Sequence, residues 1–476
     1  MTALFNSDHP SSSAQHVHSS FPCLRVLEVV SLPKGFPKWQ KYASHFSLTI
    51  DDVSDLKSLP NGFMQHLSAL QELKIYNCRM LTVLLQNEIG FDLLPSSLQR
   101  LYICFDCDSL GKLPQSMCNL HCLKELRIEG AIELASLFEG MHNLTSLRDL
   151  RISNCENLES LPKELHTLMP LQKFVIESCP ALVSFQERWL PTALQHLEII
   201  DCKNLESLPK ELHILTFLQK FIIKSCPALV SFQETGLPTA LQYLKIIDCK
   251  NLELPPKQLH TLMSLRRFVI KSCPVLVSFQ GTGLSTALRQ LEIIDCKNLE
   301  SLPEGLHKLT SLHSLKIEEC PALESFPDMG LPIPLMELLI QKCGKLNSLP
   351  KGLHKLTNLV LLKIVGCSFL MECKSLEPLQ KLGLHNFTSL YDLTIGGCAA
   401  LLSFPKGLLP TNLREFCIKD CPILESLHDG LSDLTSLKRL EIQNCPMLKQ
   451  RYQKKEGEEW SKIAQIHGVL IDDEWQ

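Results

Sequence analysis

The sequence predicts an α/β solenoid. Its coils stack so that a curved parallel β-sheet lines a concave face, while short helical or 3-10 turns and loops return over a convex face. Three observations predict it. The phrase Leu-x-x-Leu-x-Ile-x-x-Cys at residues 194–202 returns at 241–249 and 288–296, and with Phe at position 4 at 218–226 and 265–273. About eighteen such starts run from Leu24 to Leu437, and self-similarity at this period marks a stacked-repeat architecture. Within the phrase, Leu at positions 1 and 4 and Ile at position 6 alternate with polar residues, as a half-buried strand requires. Cysteines then fall at 155, 179, 202, 226, 249, 273, 296, 320, 343 and 367, in steps that alternate between 24 and 23. Two coil types therefore alternate in a unit of 47 residues, and residues 194–240 and 241–287 are near copies, as tandem duplication leaves them.

Each coil leaves its strand's N–H and C=O groups unpaired until the next coil stacks on it, with about 4.8 Å between strands. The strand side is narrower than the return side, so the stack curves with the sheet inside. Such coils are leucine-rich repeats. In chain order, residues 1–20 are rich in Ser, His and Asn and form a disordered lead-in. Residues 21–445 form the solenoid, with weak repeats at Leu24 and around Leu48-x-Ile50-x-x-Val53, and a first clean one from Leu70 to Cys78. The coils at Leu98 and Leu123 carry Asp106 and Ala131 where cysteine is expected. Proline follows the cysteine at Pro180, Pro227 and Pro274 and ends the strand, because it cannot donate to a ladder. Leu158, Leu182, Leu205 and Leu229 then re-enter the core.

One coil type returns through a short helical or 3-10 turn begun by proline, as at Pro209; the other uses a tighter loop, Gly236-Leu237-Pro238. Phe185, Phe232, Phe279 and Phe326, 47 apart, form a spine under the convex side. The rhythm breaks twice. Leu254-Pro255-Pro256 puts proline at a core leucine site and should loosen its coil, and the step from Cys367 to Cys398 holds an insertion near residues 371–384. Residues 446–476, with Trp460, Trp475 and the apolar run Val469-Leu470-Ile471, form the cap that a solenoid needs on its last apolar face.

A hydrophobic fraction of 45% suffices for burial, and a net charge of -4 implies neither a nucleic-acid partner nor membrane insertion. No run of about 18 apolar residues and no apolar signal core occurs. The 21 cysteines are odd in number and fourteen hold one place in the repeat. Free cysteine behaves as a small buried hydrophobe, so reduced ladder cysteines in a cytoplasmic protein are expected.

The coil ending Cys-Pro-x-Leu, the linking phrase Gly305-Leu306-His307-Lys308-Leu309-Thr310-Ser311-Leu312, and the tail Cys445-Pro446-x-Leu448 with Gly457-Glu458-Glu459-Trp460-Ser461-Lys462-Ile463 carry a resemblance. Together they resemble the leucine-rich-repeat region of plant intracellular nucleotide-binding disease-resistance receptors. The resemblance covers residues 21–476. It implies a recognition module of innate immunity that binds a pathogen effector, a guarded host protein or the receptor's own switch domain. These residues hold no Gly-x-x-x-x-Gly-Lys-Ser/Thr, so nucleotide binding is not carried over. The alternative is a general leucine-rich-repeat scaffold or a ubiquitin-ligase substrate adaptor. That reading wants an F-box-like helical segment, which residues 1–20 do not supply.

No serine, histidine and acid arrangement points to catalysis, and no cofactor is expected. His166, His213, His260, His307 and His354 lie two coils apart, about 10 Å, too far to share a metal. Cys104, Cys107, Cys118 and Cys122 have a zinc-like spacing, but Cys104 points outward and Cys122 precedes a repeat leucine. Recognition falls instead to positions 3, 5 and 7 of each strand. Position 3 offers Lys220, Tyr243 and Arg267, an aromatic between two cations. Position 5 offers Glu198, Ile222, Lys245, Val269, Glu292 and Lys316, and position 7 adds Lys224, Ile247 and Lys271. Lys220, Tyr243, Lys245, Arg267, Lys271 and Glu292 are the expected partner-binding residues, on a face of mixed charge and exposed aliphatics.

Overall fold

The computed structural model describes residues 2–5, 26–30, 47–53, 55–59, 67–85, 94–104, 107–185, 190–232, 236–279, 283–367, 383–403, 409–427, 431, 434–454 and 457–476. It comprises two compact units, Met1–Leu241 and Gln242–Gln476. In the first, β1 (Thr2–Phe5), β2 (Val26–Val30), β3 (Ser47–Asp51), β4 (Glu72–Tyr76), β5 (Arg100–Cys104), β6 (Glu125–Glu129), β7 (Asp149–Ser153), β8 (Lys173–Glu177), β9 (His196–Ile200) and β10 (Lys220–Lys224) follow in order. Each pairs in parallel with the next. In the second, the run is β11 (Tyr243–Ile247), β12 (Arg267–Lys271), β13 (Gln290–Ile294), β14 (Ser314–Glu318), β15 (Glu337–Gln341), β16 (Leu361–Val365), β17 (Asp392–Gly396), β18 (Glu415–Lys419) and β19 (Arg439–Gln443), again parallel and sequential. Both units are stacks of leucine-rich-repeat coils with little helix.

The register places identical positions side by side, so Leu291 meets Leu315 and Ile293 meets Ile317. Positions 4 and 6 are fully buried, as at Leu197, Ile199, Leu244 and Ile246. A one-residue slip would expose the whole row, so the alternation itself fixes the pairing.

Position 8, to which the sequence pattern gives no role, makes the corner. It takes positive φ in coil after coil: Asn77 (53°), Asp201 (50°), Asp248 (52°), Lys342 (53°), Gly366 (65°) and Gly397 (77°) among them. Asn, Asp and Gly tolerate this region; Lys342 is strained there. The turn extends the coil-to-coil ladder by one residue, since Asp201 N–H donates to Lys224 O at 2.8 Å and Asp248 N–H to Lys271 O at 2.8 Å. The ladder cysteine follows and turns inward, fully buried. Its thiol donates to the last strand carbonyl, as from Cys78 to Tyr76 O (3.2 Å) and Cys202 to Ile200 O (3.5 Å). Burial pushes the Cys78, Cys202 and Cys273 thiols up to about 12. In the coil of β5 the ladder cysteine arrives one residue late: Cys107 is fully buried and its carbonyl accepts from Leu110 N–H, as Cys78 O accepts from Leu81 N–H. Ala131 fills the same site in the next coil.

The return turns are 3-10, among them Lys163–Thr167, Leu212–Ile214, Leu306–Lys308 and Leu353–Lys355. Proline directly precedes the turn at Pro162, whereas a left-handed Gly305 or Gly352 does so later in the chain. Phe232, Phe279 and Phe326 are buried, and Phe279 meets Phe268 of its own coil edge-on at 6.5 Å. At the double proline, Pro255 is buried while Leu254 turns outward, 45% exposed.

Of the expected lead-in, Thr2–Phe5 pairs with β2, and residues 6–20 lie outside the described residues. Of the insertion near 371–384, residues 371–382 lie outside them too. After β19, helix α1 (Pro446–Tyr452) buries Leu448 and Tyr452. Strand β20 (Gly468–Ile471) then adds in parallel to β19 and buries Val469 and Ile471, and β21 (Glu474–Trp475) folds back antiparallel.

Candidate interaction surface on the strand faces

Positions 3, 5 and 7 project from each strand face. In the N-terminal unit, Lys220 Nζ donates to Glu198 Oε1 at 3.2 Å. The same oxygen lies 2.6 Å from His196 Nε2, which must be the donor because a carboxylate only accepts. The His196 hydrogen bond, aided by Lys220, holds the Glu198 carboxyl down at about 2 against the opposing effect of burial. In the C-terminal unit, the Arg267 guanidinium lies over the Tyr243 ring at 5.4 Å and reaches Glu292 Oε1 with Nε (3.2 Å) and Nη2 (2.7 Å). Tyr243, Arg267 and Glu292 thus form one cluster, beside half-buried Lys245 and exposed Lys271, while Lys220 is committed to Glu198. Val269 corrects the sequence reading. It is 4% exposed, because longer Lys245 and Glu292 flank it in register and cover it.

An aromatic between two cations does exist, at a site the sequence reading passed over as irregular. Tyr102 on β5 has Lys74 at 5.8 Å and Arg127 at 5.2 Å from its ring. Its hydroxyl donates to Glu125 Oε2 at 2.7 Å, and Arg127 Nε donates to Glu125 Oε1 at 2.7 Å. Glu72 beside it accepts from Ser47 Oγ (2.7 Å) and Arg100 Nε (2.9 Å), and pairs with Lys74 Nζ (3.1 Å). Burial pushes the Glu72 carboxyl up, but these three donors outweigh it and leave it below 4.5. The signal was readable: position 5 of three successive coils runs Lys74, Tyr102, Arg127.

A second feature missed in the sequence is a cleft of about 190 Å³ over β16–β19, lined by Lys363, Asp392, Thr394, Glu415, Phe416, Cys417, Lys419, Arg439 and Glu441. It exists because position 5 carries small residues in two neighbouring coils, Thr394 and Cys417, where the coils on either side carry Lys363 and Glu441. Position 7 of β17 is Gly396, whose added Cβ would stand 2.7 Å from Lys419 O. Glu441 pairs with Lys419 (3.3 Å) and Arg439 (3.2 Å), and Arg439 also lies 5.9 Å from the Trp475 ring. Asp392 and Glu415 are neighbours in register, and their carboxylates take no hydrogen bond or ion pair among the described residues. Burial and then the Glu415 charge push the Asp392 carboxyl above 3.8, against Lys363 and Arg439. Burial raises the Cys417 thiol to about 12, so it stays protonated at neutral pH.

His166, His213, His260 and His354 are exposed and His307 is half-buried. Cys104, expected to point outward, is instead buried at 5% exposure; Cys107 is buried, Cys118 is partly so and Cys122 is exposed. Among the described residues no group of three or more His, Cys, Asp or Glu is placed to hold a metal. Nor is any helix among them long and apolar enough to cross a membrane.

No protein-family model matches the chain, and no curated protein does. Solved structures do match. The chain is similar to a leucine-rich-repeat protein of Leptospira interrogans, at 21% identity over 88% of this chain and 94% of that one, with a TM-score of 0.48. It is similar to the functional domain of InlJ from Listeria monocytogenes, which includes a cysteine ladder, at 16% identity over 79% and 74% of the two chains, with a TM-score of 0.43. The Toll–Spatzle complex of Drosophila matches at 14% identity over 84% of this chain and 61% of that one, with a TM-score of 0.50. At these identities the likeness concerns the fold, a leucine-rich-repeat solenoid, which the strand register establishes independently.

Proposed function

We propose that the chain is the protein-recognition module of a plant innate immune (disease-resistance) receptor, acting in the cytoplasm. It would bind a pathogen effector, a guarded host protein or a receptor switch domain through its strand faces, without a chemical step. The observation that carries this reading is duplication with outward variation. Residues 194–240 and 241–287 keep their Leu, Ile and Cys ladder, yet Tyr243 replaces His196 and Lys245 replaces Glu198 at outward positions. The linking phrase at 305–312 and the tail at 445–463 support the plant-receptor origin through their resemblance to that family. The reduced ladder cysteines agree with a cytoplasmic setting. Tyr and Arg are favoured anchors at protein interfaces, so the Tyr243–Arg267–Glu292 cluster is the proposed contact centre.

The test begins with pull-down from infected plant extract and identification of the captured protein. Its affinity is then titrated against Tyr243→Ala and Arg267→Glu. At least about a tenfold loss for each is expected. Full affinity in both variants removes this cluster from the interface, and capture of ubiquitin-ligase core subunits in place of an effector or guarded protein favours the adaptor.

A further inference from the structure

We propose that the cleft over β16–β19 is a subsite for one cationic side chain, the guanidinium or ammonium of an arginine or lysine on a protein partner. This rests on the strand-face reading above and names one group which that face would grip. The cleft holds three carboxylates and three cations, but they are not equivalently engaged. Glu441 takes both Lys419 and Arg439. Asp392 and Glu415, side by side on paired strands, are left with no partner among the described residues. Thr394 makes a second, independent point. It is 7% exposed, its hydroxyl takes no hydrogen bond among the described residues, and it lines the cleft. The side chain is held among its neighbours, while its hydroxyl opens on the cleft with its donor and acceptor free for a polar guest.

The sign of the guest follows from the neighbours. The three cations and three carboxylates of the lining balance in number, but Lys419 and Arg439 are taken up by Glu441, so an anion lodged beside Thr394 would face Asp392 and Glu415 with only Lys363 free to offset them. A cation would meet two unpaired carboxylates and relieve the repulsion between them. Lys363, the one cation of the cleft without an ion pair among the described residues, lies half-buried on β16, and its flexible stem allows it to yield. A guanidinium presents donors in a planar fork that two adjacent carboxylates can share, so arginine should be preferred over lysine. The volume of about 190 Å³ exceeds the share of about 30 Å³ that one water occupies, so a side-chain head group has room.

The probe is Nα-acetyl-L-arginine amide, titrated into the full chain at low salt by calorimetry. The lysine and glutamate analogues run beside it. Saturable arginine binding in the range of about 1 mM is expected, with lysine weaker and glutamate absent. Asp392→Asn and Glu415→Gln should each weaken arginine binding at least about tenfold while keeping or raising the thermal unfolding midpoint, and Lys363→Ala should leave it equal or tighter. Asp392 faces Lys363 on β16, Glu415 and Lys419 on β18, and Arg439 and Glu441 on β19. Because Asp392 protonates above the ordinary aspartate range, binding should fade as pH drops into that range. Glutamate binding more tightly than arginine, or arginine binding indifferent to both carboxylate variants, would overturn the proposal. No arginine binding, with partner affinity still lost in Tyr243→Ala and Arg267→Glu, would remove the subsite and leave the recognition function standing.

Discussion

Tyr102 in the N-terminal unit and Thr394 in the C-terminal unit occupy the same position 5 of a repeat strand, yet their surroundings are opposite. Around Tyr102, the acids Glu72 and Glu125 each hold hydrogen-bonded donors, and two cations flank the ring. Around Thr394, one acid is paired twice and two are not paired at all. The difference comes from side-chain length. Long residues at position 5 reach sideways and satisfy one another across a strand spacing of about 4.8 Å, while short ones leave a hollow and strand the charges at its rim. A saturated cluster stiffens its face, whereas an unsaturated one stores affinity for a guest.

The contrast can be broken or sharpened in order of expected effect. Phe416→Ala removes the fully buried floor of the cleft and should cost about 3–5 kcal/mol in denaturant unfolding, because the coil loses core as well as shape. The Glu198 carboxylate, held at about 2 against an ordinary 4.5, stabilises the fold above pH 4.5. That stability should be lost as pH falls through about 2, by on the order of 2 kcal/mol, and Glu198→Gln should flatten this part of the stability–pH profile. Glu125→Gln strips charge from a half-buried site serving Tyr102 and Arg127 and should cost about 1–2 kcal/mol. Thr394→Lys places in the hollow the kind of side chain other coils carry. It should pair with Asp392 and Glu415, raise the unfolding midpoint by a few tenths to about 1 kcal/mol in stability, and abolish arginine binding. The exposed Arg267–Glu292 pair should matter least to folding, with Arg267→Ala within about 1 kcal/mol of the native chain, even though it anchors the proposed contact.

The coil was legible because its signal is repeated: Leu197, Ile199 and Cys202 recur at fixed steps, and burial alone dictates them. Position 8 left a trace that went unread, since Asp201, Asp248, Asn154 and Gly397 are types suited to positive φ. Cys107 was hidden by a one-residue shift in its coil. The sites were harder. Val269 is outward by periodicity yet buried, because what covers it belongs to neighbouring coils. The cleft follows the same rule: Thr394 and Cys417 are unremarkable in their own coils and form a hollow only when register sets them side by side. Lys220 looked like a partner for Tyr243, but it reaches diagonally to Glu198, two residues beyond its register neighbour His196 on the adjacent strand.

The most direct test sets Asp392→Asn against Glu125→Gln, each a carboxylate-to-amide exchange of nearly equal volume, in denaturant unfolding at pH 7. Relief of the uncompensated charge at Asp392 predicts that Asp392→Asn is as stable as the native chain or more so, while Glu125→Gln loses about 1–2 kcal/mol. Equal destabilisation by both would contradict it, because Asp392 would then be a paired structural charge like Glu125 rather than a vacant acceptor.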